Sequence, residues 1–375
     1  MFGHQYLIKY LFNRELSEIY VSVALKNIAL SMIGIFVPIY LFADLEYPLS
    51  KILTFFLVYS ITMAVTAVII PKFISRVGVK HGILISMMLF IVHIVLLESL
   101  NYHGLFYLPA IVWGIANAIY WLSFHTDFVK NSDGKNRSRE VSLWFIMAYL
   151  GILIGPILGS IIITFTGFLT LFILSILLLL LSAVPLFLSP EIHEPVSFSY
   201  KNIFKGHSIR ETLGYVLYGM RVIMANFALP LFIFITLGKY IELGGIASLA
   251  ALVSMGLGYF VGRTARTEKK EKLFFRYGAL FHSAGLFFLL FIKTFLQMIV
   301  INIYLALSFL FVEIPHHSRM YSRAKKTRNV MGFITYRETA ISIGRIMGIL
   351  IVVAMGSLEP LFMAAGIGMI IWAFL

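Results

Sequence analysis

The chain has 375 residues, of which 60% are hydrophobic and 13% charged, with a formal net charge of +13 and no cysteine. A soluble domain has about 45–50% apolar and about 25% charged residues, so this composition and a mean hydropathy of +0.93 exclude a water-soluble globule. The lack of cysteine also excludes disulfides, thiolate metal sites and cysteine nucleophiles.

Twelve apolar segments follow one another along the chain. A helix rises 1.5 Å per residue, so about 20 residues cross a hydrocarbon core about 30 Å thick. The third and eighth segments are short for a span and have to include flanking residues such as Glu98 or Glu242 at the interface. The sequence therefore predicts an all-α membrane protein. Its twelve transmembrane helices are expected at residues 19–42, 52–70, 83–97, 105–124, 141–165, 168–188, 213–237, 246–261, 273–292, 295–314, 330–355 and 358–375.

The basic residues predict the orientation of these helices. If the N-terminus is cytoplasmic, the inner loops contain nearly all of the Lys and Arg residues, whereas the outer loops contain only Lys51, Lys239 and Lys293. Because Lys and Arg accumulate in cytoplasmic loops, both termini are expected in the cytoplasm, with the helices in the inner (plasma) membrane. The net positive charge then belongs to loops beside the lipid bilayer, and no nucleic-acid partner is expected.

The longest polar connection follows the sixth segment and predicts two pseudo-symmetric six-helix bundles. A repeat supports this division, because His125 is expected to open a basic loop after the fourth segment and His316 another after the tenth. Two such halves are typical of transporters with a substrate site between the halves. The predicted units are an N-terminal bundle with a short cytoplasmic N-terminal segment at residues 1–188, a cytoplasmic linker at residues 189–210, and a C-terminal bundle at residues 211–375.

A glycine-rich run in the fifth segment reads GILIGPILGS from Gly151 to Ser160. Its glycines allow helices to approach closely, and its proline frees a backbone carbonyl and permits a bend. The run resembles the Gly-Pro signature of the major facilitator superfamily, with Ser160 in place of a final glycine. The resemblance implies a gating or structural role for Gly151, Gly155, Pro156 and Gly159.

The loop between the second and third segments reads PKFISRVGVK and is similar to a second motif of this superfamily. Arg76, Gly78 and Lys80 match the motif, whereas Pro71 replaces its glycine and Ser75 its acidic residue. The missing carboxylate argues against a charge lock between helices at this loop. In layout, the resemblance covers the whole chain. It implies the superfamily's fold, a small-molecule substrate and transport by alternating access.

Four basic residues lie inside predicted spans, namely Lys26, Arg221, Arg337 and Arg345. A charge at this depth costs about 2.5–3.5 kcal/mol on insertion scales, so each needs a partner, a water-filled cavity or a functional reason. Lys26 and the adjacent Asn27 either face a cavity or lie where the lysine reaches the inner headgroups. Arg221 either faces the same cavity or caps carbonyl groups between helices.

Glu338 is the deepest acidic residue of the second half. It is either a proton-coupling carboxylate or the counter-ion of Arg337, Arg345 or Lys26, and nearby cations favour the second role because they stabilise the ionised form. Aromatic residues around Asn117 in the fourth segment are expected to pack or to form an interfacial belt. The predicted substrate-binding residues are Lys26, Asn27, Asn117, Arg221, Asn226, Glu338 and Arg345.

Two polar clusters lie at the cytoplasmic ends of the fourth and tenth segments. His125 and Asp127 form one, and Glu313, His316 and His317 form the other. These residue types bind divalent metals or relay protons, but no ligand spacing demands a metal, and a polar gate is favoured. No metal and no cofactor are predicted.

The sequence thus predicts a secondary active transporter that moves a small solute by alternating access. The excess of buried cations favours an anionic or zwitterionic substrate, with a proton as the coupling ion considered. One alternative is drug/H⁺ antiport with efflux of hydrophobic compounds, which Phe- and Met-rich spans favour. Another is a non-transporting receptor or scaffold on the same fold. No pair of nucleophile and base is evident within the spans, so no enzyme is expected.

Overall fold

The structure is a computed structural model and describes residues 14–102, 104–132, 137–188, 198–201, 203–264 and 267–375. All regular secondary structure in these ranges is helical, as predicted. Residues 189–197, the first part of the predicted linker, lie outside the described residues. The long helices are α1 (Arg14–Gly34), α2 (Leu49–Ile69), α3 (Val79–Glu98), α4 (Leu108–Asn131), α5 (Arg137–Thr166), α6 (Phe168–Leu188), α7 (Ile209–Leu237), α8 (Tyr240–Thr264), α9 (Glu268–Leu289), α10 (Phe295–Lys326), α11 (Val330–Met355) and α12 (Glu359–Phe374).

Eight helices in the described part of the chain are long and apolar enough to cross a membrane. Two more, α6 and α12, are apolar over the shorter stretches Phe168–Val184 and Glu359–Phe374. The protein is therefore an integral membrane protein. The eight candidate spans are Val21–Asp44, Leu49–Ile69, Val79–Tyr102, Glu140–Thr166, Ile209–Leu237, Tyr240–Gly258, Phe295–Lys326 and Val330–Met355.

Local signals in the sequence account for the ends of several helices. Asn329 caps α11, since its side-chain oxygen accepts a hydrogen bond of 3.0 Å from the backbone N–H of Gly332. Gly356 ends the same helix at φ 72°, a conformation that glycine adopts without steric cost. Thr294 and Gln297 form a capping box at the start of α10. The caps at Asn329 and Gly356 place the two ends of α11 at the limits of the span that hydropathy predicted.

The predicted loops that begin at His125 and His316 are wrong. Helix α4 continues to Asn131 and α10 continues to Lys326, so both histidines lie inside helices. His125 and His317 are each only 2% exposed. A helix satisfies its own backbone hydrogen bonds whatever its side chains are, and here the polar side chains pack against one another between the two helices. Hydropathy therefore ended both segments too early.

Helices α3 and α8 are also longer than their apolar segments. The predicted spans covered residues 83–97 and 246–261, whereas the helices run over Val79–Glu98 and Tyr240–Thr264. Each helix includes the polar flank that the short segments needed, Glu98 in α3 and Glu242 in α8.

Glycines bring pairs of helices together at backbone distance. A Cβ atom on Gly151 of α5 would lie 2.6 Å from the Cβ atom of Asn27 in α1. In the second half, a Cβ atom on Gly344 of α11 would overlap the carbonyl oxygen of Val216 in α7. The α1–α5 and α7–α11 pairs therefore repeat one mode of close packing, which small residues permit.

One irregular turn follows α1, and another interrupts α7. The chain beyond α1 contains a π-helical turn at Tyr40–Asp44, and α7 contains another at Met224–Ala228. Such turns widen a helix and are frequent at functional sites. Arg221 lies three residues before the second of these turns, so the irregular backbone is next to a buried charge.

The motif residues between α2 and α3 surround a short helix, Pro71–Val77. Gly78 joins this helix to α3 at φ 98°, which a residue with a side chain rarely adopts. Arg76 is exposed and Lys80 is half-buried at this junction. The glycine of the motif therefore has a clear backbone role.

Helices from the two halves contact each other in several places. Helix α5 packs against α8, and α2 packs against α11. The C-terminal ends of α4 and α10 meet where Lys325 Nζ donates a hydrogen bond to the backbone oxygen of Ser132. We call this the basic end. At the opposite end, the rings of Phe56 in α2 and Phe227 in α7 lie 4.5 Å apart between centroids.

Candidate functional site

A cavity of about 460 Å³ lies between helices from both halves. Its wall contains residues of α1, α2, α4 and α5 from one half and of α7, α10 and α11 from the other. The seven predicted substrate-binding residues all lie in this wall: Lys26, Asn27, Asn117, Arg221, Asn226, Glu338 and Arg345. The structure thus brings the predicted set together, and its binding role stays a prediction.

Lys26 is buried in the cavity wall with an exposure of 4%. Its Nζ lies 3.3 Å from the centre of the Tyr120 ring and 5.7 Å from that of the Trp121 ring. Among the residues that the structure describes, Lys26 forms no ion pair. A cation–π contact is favourable but leaves the positive charge without a counter-ion. Lys26 is therefore a cavity cation and does not reach toward the headgroups.

Arg345 of α11 is a second cation without a carboxylate partner in the described part of the chain. Its Nη1 lies against the sulfur of Met63 in α2, and its exposure is 6%. A thioether is only a weak hydrogen-bond acceptor. Arg345 therefore reaches across to the other half without forming an ion pair in the described residues.

Arg337 and Glu338 form a buried ion pair, each with 2% exposure. The Nη2 atom of Arg337 lies 3.4 Å from Nε2 of His317, and Oε1 of Glu338 lies 3.8 Å from Nε2 of His125. Of the counter-ion roles weighed for Glu338, the structure shows the pair with Arg337. This pair largely neutralises itself. Arg337 also lines the cavity, although the sequence placed it on an adjacent helical face.

Arg221 approaches an aromatic ring and a histidine. Its guanidinium carbon lies 3.2 Å from the centre of the Phe309 ring. Its Nε donates a hydrogen bond of 3.5 Å to Nε2 of His282. Glu313 lines the same cavity, and its Oε1 accepts a hydrogen bond of 3.3 Å from Tyr218. No ion pair joins Arg221 and Glu313 in the described residues.

Aromatic side chains form much of the cavity wall. The rings of Tyr59 and Trp113 lie 4.4 Å apart between centroids, and Trp121 stacks on His125 at 5.2 Å. The expectation that the aromatic face of α4 only packs or forms a belt is therefore wrong, because Trp113, Tyr120 and Trp121 line the cavity. Helical periodicity placed these side chains on one face but did not reveal that the face borders a void.

The basic end of the cavity is closed by contacts between α4 and α10. Nδ1 of His125 and the hydroxyl of Tyr321 form a hydrogen bond of 2.7 Å. The ring of Phe128 stacks on that of Tyr321 with centroids 4.5 Å apart. Within the described ranges, no three His, Asp or Glu side chains form a group suited to a metal ion. The histidines therefore join helices of the two halves.

The predicted gating or structural residues mostly lie away from the cavity. Pro156 lines it, whereas Gly151, Gly155 and Gly159 pack α5 against α1. Arg76, Gly78 and Lys80 lie at the start of α3. Sequence reasoning assigned Glu313 and His317 to a polar gate and not to the predicted binding residues, and it missed Trp144, which no pattern distinguished.

Membrane-crossing helices around a cavity lined by buried charges and aromatic rings, with wall residues from both halves, define a polytopic membrane protein with a central cavity. The chain belongs to the Major Facilitator Superfamily, whose family model matches residues 19–349. The predicted membership is therefore confirmed.

The chain is also similar to two other proteins. The chain is 26% identical over 258 residues to the "Uncharacterized protein YqgE" of Bacillus subtilis (strain 168), and the match spans 64% of this chain and 58% of that relative's length. The crystal structure of the human organic anion transporter MFSD10 (TETRAN) has a TM-score of 0.71 and 11% sequence identity, covering 96% of this chain and 98% of that one. The structural similarity concerns the fold.

Proposed function

We propose that the protein is a secondary active transporter that moves a small anionic solute through the central cavity by alternating access. The observation that supports this proposal is the presence of two buried cavity cations, Lys26 and Arg345, without carboxylate partners in the described residues. A buried charge without a counter-ion is costly. A bound anion would supply that counter-ion and gain charge-assisted hydrogen bonds.

The charges of the cavity define the class of solute further. Arg337 and Glu338 neutralise each other, and Arg221 lies in the same wall as Glu313. Lys26 and Arg345 therefore leave the cavity wall with more positive than negative charges. A zwitterionic solute fits the same site if its ammonium group reaches Glu313 while its acidic group reaches a cation.

The arrangement of the helices in the membrane belongs to the same proposal. Twelve helices would cross the inner (plasma) membrane as two six-helix bundles, residues 1–188 and 211–375, joined by the linker at residues 189–210. Both termini would lie in the cytoplasm, so the basic end would face the cytoplasm. The one-sided distribution of Lys and Arg supports this orientation.

A proton is the coupling ion that fits the site. Glu338 is held by Arg337, whereas Glu313 accepts a hydrogen bond only from the neutral Tyr218 among the described side chains. A carboxylate that forms no ion pair takes up a proton more readily than one held by an arginine. Glu313 would therefore carry the coupling proton.

A thermal-shift screen of the detergent-purified protein tests the proposed substrate class. Organic anions, zwitterions, organic cations and lipophilic compounds would be compared at pH values of about 5.5 and 7.5, which bracket the titration of histidine. A solute at a hundred times its Kd stabilises the folded state by about 2.7 kcal/mol. We expect anions or zwitterions to raise Tm, and stabilisation by organic cations alone would contradict the proposal.

Efflux of hydrophobic compounds is the second candidate function, and the aromatic cavity wall favours it. Aromatic and thioether surfaces accommodate ligands of varied shape. In this case lipophilic dyes would stabilise the protein and organic anions would not. The same screen therefore separates the two candidates.

A further inference from the structure

The environment of Arg221 differs from that of the other cavity cations, because its side chain rests on a histidine. Nδ1 of His282 lies 3.1 Å from the backbone oxygen of Leu305 in α10. A carbonyl oxygen only accepts, so Nδ1 has to carry the proton and Nε2 presents its lone pair to Nε of Arg221. The hydroxyl of Ser308 lies 3.1 Å from the same Nδ1 and itself donates to the Leu305 oxygen.

This geometry requires a neutral imidazole. A protonated His282 would present an N–H group to the N–H of Arg221 and would place two positive charges together. His282 is only 1% exposed, which further disfavours the charged form. The histidine therefore holds the arginine without compensating its charge, unlike the carboxylate of Glu338 beside Arg337.

The Phe309 ring completes the support of Arg221. The guanidinium lies on one face of this ring at 3.2 Å, and the ring lies 5.0 Å from that of His282. Histidine and phenylalanine together fix the Nε side and one face of the guanidinium. Arg221 is only half-buried and lines the cavity, so its terminal nitrogens remain available there.

The first half contains a matched arrangement that lacks the arginine. Nδ1 of His93 in α3 lies 2.9 Å from the backbone oxygen of Pro109 in α4, and its ring stacks on Trp113 at 5.0 Å. As with Leu305 and Phe309, the carbonyl group and the aromatic ring belong to residues four apart. In the described residues no arginine contacts His93. The helix-joining role of the histidine is thus common to both halves, and the contact with a cation is specific to His282.

We infer that His282 is a positioning residue that holds Arg221 as a cation without an ion pair among the described residues, and that the terminal nitrogens of Arg221 bind a carboxylate or phosphate group of the solute. The inference about the ligand rests on the proposed transport of anions. The contact between the two side chains does not, and the experiment separates them.

A double-mutant cycle on Tm tests the positioning role without any ligand. His282→Ala removes the bond between α9 and α10 and also leaves Nε of Arg221 without an acceptor. In an Arg221→Gln background only the first loss remains, so we expect a smaller fall in Tm there. The matched cycle of His93→Ala with Arg221→Gln should be additive. Additive behaviour in both cycles would overturn the assignment and leave His282 as a helix-joining residue only.

Phenylglyoxal modification of Arg221, followed by peptide mass spectrometry, tests the charge of the guanidinium. His282→Glu should pair with Arg221 and slow its modification about tenfold or more, whereas His282→Gln keeps an acceptor and should leave the rate near that of the original protein. Exposed Arg76 provides the internal reference. Equal rates in the His282→Glu and His282→Gln variants would overturn the inference that a neutral partner preserves the charge.

The ligand class is tested with benzoate and its neutral analogue benzamide as probes. Benzoate should protect Arg221 from phenylglyoxal in the original protein, and benzamide should not. Equal rates with both probes would overturn the assignment of an acidic group to these nitrogens. If the double-mutant coupling holds while anions neither bind nor move, the proposed function fails and the positioning role of His282 stands.

Discussion

Lys26 and Arg345 show how single residues define the site. Each is buried, each comes from a different half, and each is held by a soft contact, an aromatic ring for Lys26 and a thioether for Arg345. Such contacts hold a cation in position without neutralising its charge. Under the proposed function, the two residues would bind one anion from different halves of the chain.

Lys26→Gln and Arg345→Gln should each weaken solute binding. A hydrogen bond to a charged group contributes about 1.5–3 kcal/mol, so a rise in Kd of roughly 10- to 150-fold is expected. Lys51→Gln is the matched control, because Lys51 Nζ also lies on a ring, 3.7 Å from the centre of Tyr47, but does not line the cavity. The measurement is solute binding by isothermal titration. An equal loss of affinity in all three variants would contradict the site.

Glu313→Gln should abolish proton uptake that accompanies solute transport into proteoliposomes, as followed with an enclosed pH-sensitive dye. The reason is that Glu313 has no cation paired with it in the described residues. Glu338→Gln should instead lower Tm by leaving Arg337 as a buried charge without its partner, which typically costs 3–5 kcal/mol. Proton uptake that persists unchanged in Glu313→Gln would assign the coupling to another group.

The sequence predicted the cavity residues that stand out as charges or amides within apolar segments. It did not predict His282, and it assigned Glu313 to a polar gate at a helix end. The partners of His282 come from α7 and α10, far from it in sequence, and Glu313 lies beside polar residues that imitate a helix end. A contact between residues that are far apart in the chain produces no local pattern in the sequence, whereas a charged residue within an apolar segment does.

At the scale of elements, hydropathy located the helices but not their ends. The caps at Asn329 and Gly356 coincide with the predicted limits of α11. In contrast, α10 continues to Lys326, well beyond the predicted end at residue 314. Where a cap terminates a helix, the sequence contains the signal. Where a helix continues through polar residues, its extent depends on packing against another helix.

Gly344→Ala should destabilise the protein by about 1–3 kcal/mol, because the new methyl group has no space between α11 and α7. The substituent would overlap the carbonyl oxygen of Val216 and lie 2.9 Å from the backbone nitrogen of Met220. Gly256→Ala in α8 is the matched control, since a Cβ atom there meets nothing within 4 Å. Thermal unfolding in detergent should show a fall in Tm for the first variant only. Similar Tm values would argue against backbone-distance packing.

At the scale of the whole molecule, contacts between the halves hold the basic end closed. Tyr321→Phe removes the hydrogen bond to His125, which crosses between α10 and α4. A loss of about 0.5–1.5 kcal/mol shifts the equilibrium toward separation at that end by roughly 2- to 12-fold. Spin labels at Lys130 and Lys326 would report the distance between the two helix ends.

The control for this shift is Tyr304→Phe. The hydroxyl of Tyr304 donates to the backbone oxygen of Phe281, and both residues belong to the second half. This variant loses a hydrogen bond of the same kind without affecting the contact between halves. A distance distribution that broadens equally in both variants would contradict a closing role for Tyr321.

The orientation can be measured directly because the chain has no cysteine. Lys239→Cys and Lys270→Cys place single thiols at exposed positions in the connection between α7 and α8 and in the first turn of α9. In intact cells, a membrane-impermeant maleimide should label the first variant and should label the second only after lysis. The reverse pattern would invert the proposed topology.

The aromatic wall also makes the protein its own optical probe. The chain has four tryptophans, and Trp113, Trp121 and Trp144 all line the cavity. The fourth, Trp372, packs against Tyr218 and His316 at the edge of the same region. Three of the four indoles therefore border the cavity, so a quenching or spectral shift of the intrinsic emission would report a bound solute without any attached dye.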